Sequence, residues 1–122
     1  YFNYIYVRMG AHTLIHKRTE DDIWKNLFEL PLVETEKDLS EEEFLACPQF
    51  HALFAEGEVR MVRTLLRGVK HVLSHRVIYT NFYEVTLPDN SSSFSSYQRV
   101  AVEDLDRYAV PRLIHAFLEK YV

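Results

Sequence analysis

Apolar residues along the chain follow a period of two near the start and a period of 3.6 in the middle and at the end. Residues 1–9 and 12–18 read as two strands joined at "MGAH", where Gly10 can take the positive φ of a tight turn. After a polar loop, "NLFELPLVE" reads as a third strand interrupted by Pro31, a residue that belongs at an edge or a strand end. In "LSEEEF", Ser40 stands three residues before Glu43 as a capping box, with Leu39 and Phe44 at the two positions of a hydrophobic staple. A helix is therefore expected to start at Ser40. Pro48 breaks it or begins a second short helix, "PQFHALFAEG", with Gly57 as the C-terminal cap.

Strand patterning returns over residues 58–66, 69–75 and 76–87. The last of these alternates, which puts Val77, Tyr79, Tyr83 and Val85 on one face. "PDNSSSFSS" reads as a polar loop and "YQRVAV" as a short strand. In "VPRLIHAFLEKYV", Pro111 occupies the first turn of a helix whose apolar face is Leu113, Ile114, Phe117, Leu118 and Tyr121. Strands first, a helix in the middle and a helix at the end predict a mixed α+β domain around one sheet.

The 122 residues suffice for one domain with one modest core, and 48% hydrophobic with 14% aromatic content excludes a disordered chain. A single domain is expected over residues 1–122. No apolar run approaches the roughly 20 residues of a membrane span. The start "YFNYIYVRMG" has neither the basic head nor the long apolar stretch of a signal peptide. It begins inside a strand, as expected of a piece of a longer protein. The lone Cys47 excludes an internal disulfide and a cysteine cluster, which fits a reducing, cytoplasmic setting.

The net charge of −4 argues against a nucleic-acid binder, but the charge is unevenly distributed. Residues 20–43 carry ten acids and two bases. Residues 60–80 carry Arg60, Arg63, Arg67, Lys70 and Arg76 and no acid, either a local phosphate-facing surface or a solvated strand face. The acidic triple Glu41, Glu42 and Glu43 suits the positive end of a helix dipole better than a metal.

Within "KHVLSHRV", a hydroxyl, two imidazoles and a guanidinium interrupt an apolar run. His71 and His75 are four apart, as are His12 and His16, but residues four apart in a strand are separated by roughly 13 Å. A shared metal ion is therefore not expected. Ser74 beside His75 does not make a serine hydrolase, because neighbours on a strand point to opposite faces and no nucleophile elbow surrounds Ser74. No catalytic residue is expected in this chain, and no glycine-rich phosphate loop is present.

The stretches "HKRTEDDIWKNLFELPLVET", "HVLSH" and "YAVPRLIHAFLEKY", in that order, resemble the C-terminal domain of MutY-type adenine DNA glycosylases. "HKRTEDDIWKNLFELPLVET" resembles that family's Arg, variable loop, Trp and Leu-aromatic-Glu-aliphatic-Pro. "HVLSH" resembles His-Thr-Phe-Ser-His, and "YAVPRLIHAFLEKY" the closing Leu-Gly-aliphatic-Pro and helix. The resemblance covers nearly the whole chain. It implies an α/β/α sandwich with a Nudix-like mixed sheet flanked by helices. It also implies a lesion-recognition domain that reads 8-oxoguanine opposite adenine in duplex DNA. The parent enzyme excises the adenine with an N-terminal domain that holds the catalytic acid and an iron–sulfur cluster. This chain is then non-catalytic and free of cofactors, monomeric, and partnered by that N-terminal domain and by duplex DNA, with no membrane.

The resemblance makes Ser74 and His75 the reading pair, flanked by Leu73, Arg76 and Lys70. A hydroxyl both donates and accepts, so one serine can meet the N7–H donor and the added carbonyl of the oxidised base. Lys70 and Arg76 would meet phosphate. Leu73 departs from the family's Phe, which weakens a stacking role there but leaves a wedge. Two alternatives stand beside this reading: a Nudix hydrolase of oxidised nucleotides and a protein-binding module. Against the hydrolase, residues 30–57 contain no Arg and no Gly before Gly57, so the Nudix box is not matched.

Overall fold

A computed structural model describes residues 1–19, 24–72, 76–94 and 96–121. Two sheets organise it. The larger contains β1 (Phe2–Arg8), β4 (Leu32–Glu34), β5 (Met61–Val72) and β6 (Val77–Thr86) in the order β4-β1-β6-β5. Strands β1 and β6 run parallel, and the other neighbours run antiparallel. The smaller sheet sets β2 (His12–Lys17) between β3 (Phe28–Glu29) and β7 (Gln98–Ala101). Helices α1 (Glu41–Ala46) and α2 (Pro48–His51) precede β5, a 3-10 turn spans Val102–Arg107, and α3 (Arg112–Tyr121) closes the fold.

Strand β1 is buried on both faces, as a central parallel strand should be. Phe2, Tyr4 and Tyr6 join Phe82, Ile114 and Phe117 of α3 in one apolar cluster. Ile5 and Val7 point the other way and join Tyr83, Val85, Phe44 of α1 and Phe50 of α2 in a second. The result is a three-layer mixed α+β sandwich with helices on both faces of the larger sheet.

The start of α1 follows the local code. Ser40 has extended φ and ψ, its hydroxyl accepts from the Glu43 N–H, and the Glu43 carboxylate accepts from the Ser40 N–H. Leu39 packs on the cluster that holds Phe44, completing the staple.

Several expectations are corrected. The third strand divides at Pro31, and its halves β3 and β4 serve different sheets. Pro31 has no N–H to give a ladder, and its carbonyl accepts from the Ile5 N–H at 2.9 Å. Helix α2 ends at His51, and Gly57 takes its φ of 77° in a later turn. The chain leaves the helix early to lay Phe54 against Phe94, and Ser93 Oγ accepts from the Ala55 N–H at 2.8 Å. The polar serine loop therefore carries a core residue, Phe94, held at φ 58°.

Over the described part of 58–75, one strand replaces the two expected: β5 runs unbroken from Met61 to Val72, with register shifts after Thr64 and after Leu66. Gly68, at φ 66°, makes this a bulged strand instead of a turn. Val77, Tyr79, Tyr83 and Val85 do share a face, yet Val77 and Tyr79 are exposed while Tyr83 and Val85 are buried. The helices on that face cover only the half of β6 that lies away from the hairpin end.

Two outcomes test this packing. Phe82→Ala, which removes a fully buried ring, is expected to cost about 3–5 kcal/mol in denaturant unfolding. Backbone and hydroxyl hydrogen bonds from Ser40 hold the Glu43 carboxyl below its ordinary range. A carboxyl lowered in the folded state stabilises above its unfolded pKa, and that contribution is lost as pH falls through the folded value. Unfolding curves of wild type and Glu43→Gln should therefore converge as pH drops through and below the ordinary carboxylate range, and a constant difference would contradict it.

Candidate functional site

Strands β5 and β6 form a long hairpin whose last pair is Val72 opposite Val77. Leu73, Ser74 and His75 lie outside the described residues, while the strands that lead into and out of that connection are described. Lys70 sits opposite Tyr79, and both are exposed on the face that the helices leave open. Tyr1 stacks on Tyr79 there, with ring centroids 5.6 Å apart. On the other face the Arg76 guanidinium lies over the Phe2 ring at 5.8 Å, and His71 lies beside Trp24. Lys70 and Arg76 thus both lie at the outer end of the described hairpin strands, on opposite faces of the sheet.

The cations of residues 60–76 do not line up as one stripe. Arg63 pairs with Glu84 at 3.0 Å, and Arg8 approaches the same carboxylate at 3.9 Å. Arg67 pairs with Asp38 at 3.0 Å and donates to the Tyr83 hydroxyl at 2.9 Å. Arg60 donates to the Gly57 carbonyl. Lys70 and Arg76 make no ion pair with another described residue. The bulges of β5 rotate alternate side chains to different faces, which sequence spacing alone does not convey.

Two of the three acids of the triple are engaged by the fold. The Thr64 hydroxyl donates to Glu41 at 2.6 Å, and Glu43 closes the capping box. Among the described residues, no three His, Cys, Asp or Glu side chains converge on a point that could hold a metal ion. His12 and His16 lie on one strand, β2, where four-residue spacing keeps them apart.

Sequence reasoning missed two polar centres. At one, Glu29 and Arg18 are each 3% exposed and paired at 2.8 Å. The Tyr4 hydroxyl donates to the same Glu29 oxygen at 3.3 Å. Burial, and then the Glu29 charge, push the Tyr4 phenol above its ordinary value. His16 Nε2 lies 3.1 Å from the other Glu29 oxygen, an ion-pair distance without the alignment of a hydrogen bond. A small cavity lined by His16, Glu29, Leu32, Glu34 and Tyr97 opens beside it. The other centre joins Asn3 and Asn81, amides fully enclosed among the larger sheet's aromatic residues. Their one visible signal was a lone Asn inside each apolar strand run, "FNYIYV" and "YTNFYEV".

The order of strands, the two-sided sheet and the helix placement set the frame for comparison with known proteins. A family model described as the NUDIX domain matches residues 3–120. The chain belongs to the NUDIX domain family. A search among curated proteins found no match. The match confirms the Nudix-like fold expected from the sequence. In this NUDIX domain, among the described residues, no helix is long and apolar enough to cross a membrane.

The buried pair yields a test. Glu29→Leu leaves the Arg18 guanidinium enclosed without that carboxylate and is expected to lower stability by about 3–5 kcal/mol. Urea unfolding measures it, and an unchanged midpoint would mean that the pair contributes nothing to the fold.

Proposed function

We propose that this NUDIX domain is the lesion-recognition part of a MutY-type adenine DNA glycosylase and reads 8-oxoguanine opposite adenine in duplex DNA. The observation that supports the reading is the end of the longest hairpin: its last described pair is Val72 opposite Val77, and Lys70 and Arg76 beside it are exposed and make no ion pair with another described residue. A hairpin tip is where a side chain can reach a base edge while flanking cations meet phosphate.

The chemistry asks one hydroxyl to do two things. Oxidised guanine presents N7–H as a donor and the neighbouring carbonyl as an acceptor, where ordinary guanine presents an N7 acceptor. The Ser74 hydroxyl accepts from the first and donates to the second, or shares the task with its own backbone groups. His75 braces the connection or hydrogen-bonds DNA, and Leu73 wedges against a base step. Adenine excision belongs to a separate catalytic domain, which takes the base out of the stack. One cysteine cannot ligate an iron–sulfur cluster, so that cofactor also belongs to the other domain.

The family match fits a nucleotide hydrolase equally well. Against it stand the sequence of residues 30–57, which lacks the Nudix box, and the engagement of Glu41 and Glu43 in the fold. Incubation of the chain with Mg²⁺ and the triphosphate of 8-oxoguanosine is expected to give no hydrolysis. Turnover above background would favour the hydrolase.

The decisive substitution is Ser74→Ala in the enzyme that carries this domain. Losing one hydrogen bond costs about 0.5–1.5 kcal/mol, so the preference for adenine opposite 8-oxoguanine over adenine opposite guanine should fall by about tenfold. If Ser74 only ties its own connection, both duplexes lose excision equally and the melting temperature falls. That result would sink the reading.

A further inference from the structure

The larger sheet contains a device that bears on the course of its outer strands, β5 and β6. From Thr64, opposite Tyr83, to Val69, opposite Thr80, β5 advances five residues while β6 covers three. Two residues of β5 are therefore extra: Leu65, between Thr64 and Leu66, and one of Arg67 and Gly68, which together face the single Asn81. A strand with two bulges in succession has lost the regular ladder that normally sets its register.

Asn81 takes over that task. It is 1% exposed, and its amide oxygen and both amide hydrogens have partners. Its Oδ1 accepts from the Gly68 N–H at 2.8 Å. Its Nδ2 donates to Asn3 Oδ1 at 3.0 Å and to Asp38 Oδ1 at 3.2 Å. Asn3 Nδ2 passes the connection to the Val33 carbonyl and the Thr35 hydroxyl, both at 3.1 Å. Asp38 holds Arg67 at 3.0 Å, so both residues of the second bulge are tied, Gly68 through its amide and Arg67 through its guanidinium. The orientation of the amide is determined by these partners, because a flipped Asn81 would set its NH2 against the Gly68 N–H. One side chain in β6 thus connects β5, β1, β4 and the segment before α1.

We infer that Asn81 is a positioning residue. It sets the bulge register of β5 and thereby the course of the outer strand pair, residues 69–72 with 77–80. The functional part of this inference rests on the lesion-reading role proposed above, and the structural part does not.

Hydrogen exchange and DNA binding of this chain test the two parts separately. Asn81→Ala removes the lock, and Gly68→Val breaks the same bulge independently, since a β-branched residue does not tolerate φ 66°. Gly68→Asn, which does tolerate it, is the conservative control. Both disruptive variants should raise amide exchange of residues 69–80 by about tenfold or more while β1 stays protected. They should also lower the preference for an 8-oxoguanine–adenine duplex over a guanine–adenine duplex, in anisotropy at low salt, with plain-duplex affinity unchanged. Gly68→Asn should behave as wild type in both. Unchanged exchange in the outer hairpin, or exchange rising equally in β1, would overturn the positioning role. If Asn81→Ala does not fold, the Gly68 pair decides. A wild-type chain with no preference between the duplexes would remove the lesion-reading role while the exchange result still decides the lock.

Discussion

Phe82 and Tyr83 are consecutive in β6 and therefore point to opposite faces of the sheet, and each stacks on a helix. Phe82 lies parallel to Phe117 of α3 with centroids 4.2 Å apart, and Tyr83 lies on Phe44 of α1 at 4.5 Å. Tyr4 of the neighbouring strand stacks on Phe82 as well. This two-sided contact joins the layers through one strand, since both apolar clusters meet at it. Offset aromatic stacks add to burial the preference of the ring quadrupoles for these arrangements. The capping box before α1 matters for the same reason, because it aims Phe44 at Tyr83.

Between the apolar halves, the sheet is held by polar groups that lack the option of water. The Asn81 and Asn3 amides, the Glu29 and Arg18 pair and the Tyr4 hydroxyl are buried with their partners in place. Buried polar groups of this kind specify an arrangement more than they add stability, because every competing register would leave some of them unsatisfied. Tyr83 belongs to both systems: its ring packs on Phe44 and its hydroxyl accepts from Arg67. Packing and register are coupled at that one residue.

The larger sheet is also divided along its length. The helices cover the half of β6 that carries Tyr83 and Val85, and they leave the half that carries Val77 and Tyr79 in solvent. Strand β6 therefore has a buried base and an open outer half.

The chain alone determined those features that depend on neighbours within a turn. Ser40 with Glu43, Leu39 with Phe44, the turn at Gly10 and the apolar face of α3 act through short-range hydrogen bonds and fixed side-chain spacing, and all appear where the residues require them. The tertiary structure decided what depends on a distant partner. Pro31 divides a strand between two sheets because Ile5 supplies the donor for its carbonyl. Gly68 makes a bulge and not a turn because Asn81 receives its amide from across the hairpin. Tyr79 and Tyr83 occupy the same face and differ in burial only because residues 41–54 end where they do. Alternation along a strand states which side chains share a face; what covers that face is set by elements far along the chain, and no local pattern contains it.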